Sequence, residues 1–302
     1  MSALTDTIHL AFTIDCEQLH ADYQLVSKGE GPRDWDASDQ AIRAFAEMVE
    51  GHQGRATFYV VPETARHHPE LLSALMARGH EVGLHLHPCV FEEPGRYNRG
   101  LARHDRDGQR RLLVNAWNTW RLAVGRNPLT FRPGNFSADD NTFAIAVALG
   151  MKHGSMGCPG RLAPVIGAVW TGAPPWPNIR SGFTEVPLTT WPDRLRPNGF
   201  PLELRLERTG DSPEEMPLEV LRHRLGEFAA WPAHVPRCIV ALTHTSVPYH
   251  KRPERETGIL AQIIEECSRF AAAQGKRLKI GTIQQIAAAI GQDPRVAEGN
   301  RS

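Results

Sequence analysis

The sequence has no apolar run approaching the ~20 residues of a membrane-spanning helix, so no membrane span is expected. Its first residues, MSALTDTIHLAFTID, lack the basic region, apolar core and small-residue cleavage site of a secretory leader, and a cytoplasmic location is expected. Net charge is also missing: Lys plus Arg and Asp plus Glu number 34 each. Bulk charge therefore implies no basic face for nucleic acid or an anionic membrane, and points to a small neutral or locally recognised substrate. The five cysteines (Cys16, Cys89, Cys158, Cys238 and Cys267) are odd in number and include no C-x-x-C pair. In a chain too long to need staples they are expected to be reduced thiols. There is no internal repeat, low-complexity segment or linker, so a single domain over residues 1–292 is expected, followed by a frayed polar tail, 293–302. Oligomeric state leaves no mark on the sequence.

What is present is clearest in HEVGLHLHP, residues 80–88. On a strand, residues i and i+2 share a face, so His85 and His87 present two imidazoles side by side while Leu84 and Leu86 turn away. That is metal-ligand spacing, and two histidines plus a carboxylate form a common open catalytic set. Histidines that merely alternate along a packed strand give the same pattern, so other segments must decide. Asp15 and Glu17, just after the apolar run IHLAFTI, are a second i, i+2 pair, although a turn-capping Asp15 and a solvated Glu17 fit equally well.

Along the chain, IHLAFTI (8–14) reads as a buried first strand and residues 18–35 as a long loop. A helix is expected from Ser38 with Ile42, Phe45, Met48 and Val49 on one face, then a strand at 56–61. One helix is expected from Pro62 to Gly79, and the HEVGLHLHP strand follows it. Residues 88–106 read as a loop, 109–125 as a helix whose Trp117 and Trp120 pack, and LTFRPGNFS as a short strand delivering Arg132 into a Pro-Gly turn. Between Met151 and Trp191 only 183–190 reads as a strand. A helix at 213–231, a strand at 237–246 ending on His244, a helix at 254–274, a short strand LKI and a closing helix complete the series. Strand–helix alternation argues for parallel strands with crossover helices, whose C-terminal strand ends collect catalytic groups.

The ordered set TIDCE, GHEVGLHLHP, FRPGNFS and ALTHTS resembles the polysaccharide deacetylase (NodB-homology) superfamily of carbohydrate esterases over most of residues 7–290. The resemblance implies a distorted (β/α) barrel of about seven parallel strands in a single domain. It also implies one divalent metal ion, usually Zn2+ with Co2+, Ni2+ or Mn2+ as alternatives, and removal of acetyl groups from N-acetylated sugars. Matched motif by motif, Asp15 takes the place of the catalytic base, His85 of the first ligand histidine, Arg132 of the groove arginine and His244 of the late general acid. The chain departs from the usual pattern twice. Cys16 stands where a ligand aspartate is usual, and Cys89 where the second ligand histidine is usual. This D-x-E with H-x-H combination looks like a divergent branch of the superfamily.

Strand geometry offers Glu17 and His87 as the replacements, since each shares a face with its intact partner; thiolate ligation by Cys16 or Cys89 is the competing assignment. The expected site is therefore Asp15 and His244 as catalytic groups, Glu17, His85 and His87 as metal ligands, and Arg132, His20 and Asn135 as substrate contacts. His80 is expected to be structural, closing the turn before its strand. The expected reaction is hydrolysis of an N-acyl bond on a sugar or sugar conjugate. The alternatives are an amidohydrolase of a small amide, such as a formamide, cyclic ureide or imide, and a carbohydrate-binding barrel without chemistry.

Overall fold

The computed structural model describes residues 6–18, 30–91, 100–196, 199–207, 216–251 and 253–291; His20 and the 293–302 tail lie outside them. The strands are β1 (Thr7–Cys16), β2 (Thr57–Val60), β3 (Glu81–Leu86), β4 (Thr130–Pro133), β5 (His153–Gly154), β6 (Leu162–Ala163), β7 (Ala168–Val169), β8 (Asn178–Arg180), β9 (Phe183–Glu185), β10 (Thr190–Leu195), β11 (Pro201–Glu203), β12 (Arg237–His244) and β13 (Arg277–Ile280). The helices are α1 (Trp35–Glu50), α2 (Pro62–His67), α3 (Pro69–Ala77), α4 (Arg106–Val124), α5 (Asp140–Ala148), α6 (Met216–Glu227), α7 (Pro253–Ala273) and α8 (Ile283–Gly291).

One sheet carries the fold, in the order β12-β1-β2-β3-β4-β5-β9-β8, with β13 also paired to β1. Every pairing in it is parallel except β8 with β9. The run from β12 to β9 thus supplies the seven parallel strands of the expected distorted barrel. β1 is buried along almost its whole length, which is why it reads as a near-continuous apolar run. Closure is irregular. The segment after β9 reaches β12 through Thr189 N–H to the Val240 carbonyl (3.1 Å), and residues 204–206 bond Leu242 on both sides (2.9 and 3.0 Å). Among the described residues no helix is long and apolar enough to cross a membrane.

Local chemistry shifted several boundaries. α1 starts at Trp35 and not Ser38, because the Asp34 side chain accepts from Ala37 N–H (2.7 Å) and caps the helix there. The single helix expected after Pro62 is two. Pro69 bars the residue before it from helical backbone, and His68 sits at φ −124°, ψ 42° between α2 and α3. The expected strand 183–190 ends at Glu185. The 151–191 region instead holds short pieces: β5, the β6–β7 hairpin, β8 and β9. Strands of two or three residues are too short for alternation to register in the sequence.

Candidate metal centre and active site

Alternation along the strands decides which side chains enter the barrel. Phe58 of β2 packs edge-on against Phe45 of α1 (5.8 Å), so Tyr59 faces inward, as do Thr13 and Asp15 on β1, His85 on β3 and Arg132 on β4. Register then brings the ends together: Asp15 lies opposite both His244 and Tyr59, and His85 lies opposite Arg132. Glu17, one step past β1, is held by its N–H to Thr245 Oγ1 (3.1 Å). Its Oε2 accepts from Glu30 N–H (2.5 Å), which turns Oε1 to the histidines. Gly31 permits this approach, since a Cβ there would stand 1.9 Å from the Glu17 carbonyl oxygen.

Three ligand atoms converge. Glu17 Oε1 lies 3.1 Å from His85 Nε2 and 3.2 Å from His87 Nε2, and the two nitrogens are 3.2 Å apart. A tetrahedral zinc site with ligands at 2.0–2.1 Å has an edge of about 3.3 Å, so this buried triangle fits a small divalent ion. The His85 Nδ1–H donates to the Arg132 carbonyl (2.9 Å), which leaves the Nε2 lone pair facing the triangle. Burial pushes the Glu17 carboxyl up, but His87 and His85 beside it outweigh burial and hold it well below the usual carboxylate range. For His87, burial pulls the imidazole down and the Glu17 charge more than restores it, so the site favours positive charge between these groups. The His87 ring lies flat against Gly134, where a Cβ would meet Nδ1 and Cε1 at 2.6 Å. Gly134→Ala is accordingly expected to keep the fold but weaken metal affinity by on the order of 10- to 100-fold, read by competition with a chromophoric chelator. Unchanged affinity would show that His87 does not need that seat.

Beside the triangle, the Arg132 guanidinium crosses the barrel. Nη1 donates to Asp15 Oδ1 (2.6 Å), Nη2 to Thr13 Oγ1 (3.0 Å) and Nε to the Ser155 carbonyl (3.3 Å), with the Tyr59 ring 4.3 Å beneath. Asp15 Oδ2 is left 3.8 Å from His85 Nε2 and 3.9 Å from His244 Nε2. On the far wall His244 Nδ1 meets Glu207 Oε1 (2.8 Å), and Arg205 donates to the same oxygen (3.1 Å). Burial lowers the His244 imidazole, but the Glu30 and Glu207 carboxylates raise it to about 9. Glu30, Glu207 and His244 also approach one another as a metal cluster would, yet Arg205 Nη1, 3.1 Å from Glu207 and 3.7 Å from Glu30, already supplies a cation there.

The structure therefore brings together Asp15, Glu17, His85, His87 and His244. Arg132, expected at the substrate, is completely buried and spends its donors on Asp15, Thr13 and Ser155, so it sits behind Asp15 and offers a substrate no open face. Asn135 lies in the turn beside His87, with φ +56° and its carbonyl accepting from Arg161 (3.0 Å). His80 is structural: its Nδ1 accepts from Ala56 N–H (3.0 Å) and its other nitrogen meets Glu50 (3.0 Å). Cys16 faces the helix layer, opposite Asp15. Burial first, then Asp15 and Glu17, raise its thiol well above the ordinary range. Among the described residues no cysteine joins a metal-type cluster, Cys89 included. Sequence reasoning missed Glu207 and Gly134. Glu207 lies 37 residues from His244 in a segment with no motif, and Gly134 had appeared only as half of a turn.

Fold and site together define a distorted (β/α) barrel with an inward metal-type triad at its C-terminal face. Residues 31–154 match the polysaccharide deacetylase family. Among solved structures it is similar to a protein from Mycobacterium smegmatis described as a candidate polysaccharide deacetylase. The two share 16% identity and a TM-score of 0.59 over 96% of this chain and 92% of that one. It is also similar to PuuE allantoinase, with 14% identity and a TM-score of 0.55 over 93% and 89% of the two chains. At these identities the likeness is one of fold. No curated protein sequence matches.

Proposed function

We propose that this protein is a metal-dependent hydrolase that removes an acyl group, acetyl in the first instance, from the nitrogen of an N-acylated sugar or sugar conjugate. The match of residues 31–154 to the polysaccharide deacetylase family supports hydrolysis of a non-peptide carbon–nitrogen bond, and the Glu17–His85–His87 triangle is the observation that carries the metal dependence. A divalent ion, Zn2+ by its borderline preference for imidazole and carboxylate, would supply Lewis-acid polarisation of the acyl oxygen and of water. The remaining steps fall to the chain. Arg132 fixes Asp15 by its Oδ1, so Oδ2 faces the centre and takes the proton of the attacking water. Glu207 fixes His244 through Nδ1, so Nε2 faces the same space and hands its proton to the departing amine. Asn135 and His20 are the proposed substrate contacts.

His244→Ala is expected to retain the metal and lose turnover by on the order of 10²-fold or more, measured as release of acetate from N-acetylglucosamine oligomers with zinc or cobalt present. Turnover equal to wild type would remove its role as acid. One observation favours a second reading, a small non-polymeric amide: Asp15, Glu17, His85, His87 and His244 are each 5% exposed or less. A panel of formylated, acetylated and cyclic amides, assayed beside the oligomers, decides between the two.

A further inference from the structure

A cavity of about 190 Å³ lies away from the metal centre, between α5 and the C-terminal end of β9. Phe183 and Glu185 share a face of β9, and Phe183 packs on Phe143 of α5 at 5.5 Å, so the cavity belongs to the helix-bearing side of the sheet. Its floor is the Glu185 carboxylate, 3% exposed, and its walls include the Phe143 and Trp170 rings. The carboxylate accepts from Met156 N–H (3.0 Å) and Gly157 N–H (2.8 Å). Among the described residues, no Lys, Arg or His lies within ion-pair distance of it. Arg180, which also lines the cavity, pairs with Asp140 of α5 (2.7 Å) and lies 4.8 Å over Phe143 and 5.7 Å over Trp170.

We propose that this cavity is a second binding site, for a small organic cation: a primary or secondary ammonium ion with an apolar body. A buried carboxylate without a counter-charge is costly, and an entering cation would complete it. The aromatic walls suit both the apolar body and the charge, since ring faces attract cations, as the Arg180 guanidinium over Phe143 and Trp170 illustrates. The volume matches a ring of about six heavy atoms, since a cavity of ~150 Å³ accommodates benzene. Protonation should compete with the ligand. Burial raises the Glu185 carboxyl to about 7, against the lowering effects of the Met156 and Gly157 N–H groups, Arg132 from β4 and Arg180 from β8. With a folded-state value above the ordinary one, the acid keeps its proton below about 7 and presents a charge above it.

The test is calorimetric titration of the full chain with piperidinium chloride, against potassium chloride at equal ionic strength, at pH 8 and pH 6. Saturable binding at pH 8 that weakens about tenfold at pH 6 is expected, the loss following the ionised fraction of an acid titrating near 7. Glu185→Gln should abolish it. Gly157→Ala keeps the acid but places a methyl group 3.1 Å from Glu185 Oε1 and 3.4 Å from the Trp170 ring, and should abolish it too. Should the glutamine variant not fold, the alanine variant decides. No binding by the wild type, or binding that survives Gly157→Ala, overturns the proposal. The site shares no residue with the metal triad, so either outcome leaves the proposed hydrolase function standing.

Discussion

His85→Ala is expected to empty the metal centre and abolish hydrolysis. Wild-type protein reconstituted with zinc should carry about one ion per chain, and the variant less than about a tenth of that. Two effects combine in the loss. The Nε2 ligand disappears, and so does the Nδ1–H bond to the Arg132 carbonyl that ties β3 to β4 at this level. His87→Ala should behave similarly, because only Glu17 and one imidazole would remain of the triangle. Activity should fall by at least ~10³-fold, about 4 kcal/mol in the barrier. Metal analysis by mass spectrometry reads the first effect and acetate release the second, with circular dichroism as the check on folding. Equimolar metal in the double variant would sink the ligand assignment. A companion result is expected without mutation: zinc added to metal-free protein should raise its melting temperature by mass action, and should fail to do so in His85→Ala.

Arg132→Met is expected to damage both stability and turnover. The guanidinium is completely buried, and its loss strips Asp15, Thr13 and the Ser155 carbonyl of their donors while leaving the buried Asp15 carboxylate without its hydrogen-bonded counter-ion. Breaking a buried pair in this way costs about 3–5 kcal/mol, or a melting temperature lower by about 10 °C. The companion Asp15→Asn/Arg132→Met protein, with both charges gone, should recover part of that loss, a coupling that a double-mutant cycle reads directly. Turnover should fall by on the order of 10²-fold or more in Arg132→Met, since Asp15 Oδ2 loses its fixed orientation. A denaturation midpoint equal to wild type would mean that the Arg132–Asp15 contact is not what organises the base.

The sequence by itself determined the strand–helix alternation and the shared facing of Asp15 with Glu17 and of His85 with His87, while the barrel was implied by the resemblance of its motifs. Strand–helix alternation is written in local periods of two and 3.6, and parallel strands buried on both faces must read as apolar runs such as IHLAFTI. The pairs Asp15/Glu17 and His85/His87 were legible for the same reason: two residues on a strand span one repeat, so shared facing follows from spacing alone. Cys16 stayed open as a competing ligand in the sequence, and the structure leaves it outside the cluster. The helix break at His68–Pro69 is equally local, because proline restricts the backbone of the residue before it.

Tertiary structure decided everything that joins distant segments. Arg132 and Asp15 are 117 residues apart, and no local pattern says that the arginine crosses the barrel over Tyr59 to hold the Asp15 carboxylate. Glu207 became a partner of His244 only because residues 204–206 close the sheet against β12. Gly134 gained its importance from the ring of His87 lying on it. Facing is set by the backbone's own repeat, whereas register, closure and close approach depend on how strands far apart in the chain are stacked, and that information is not local.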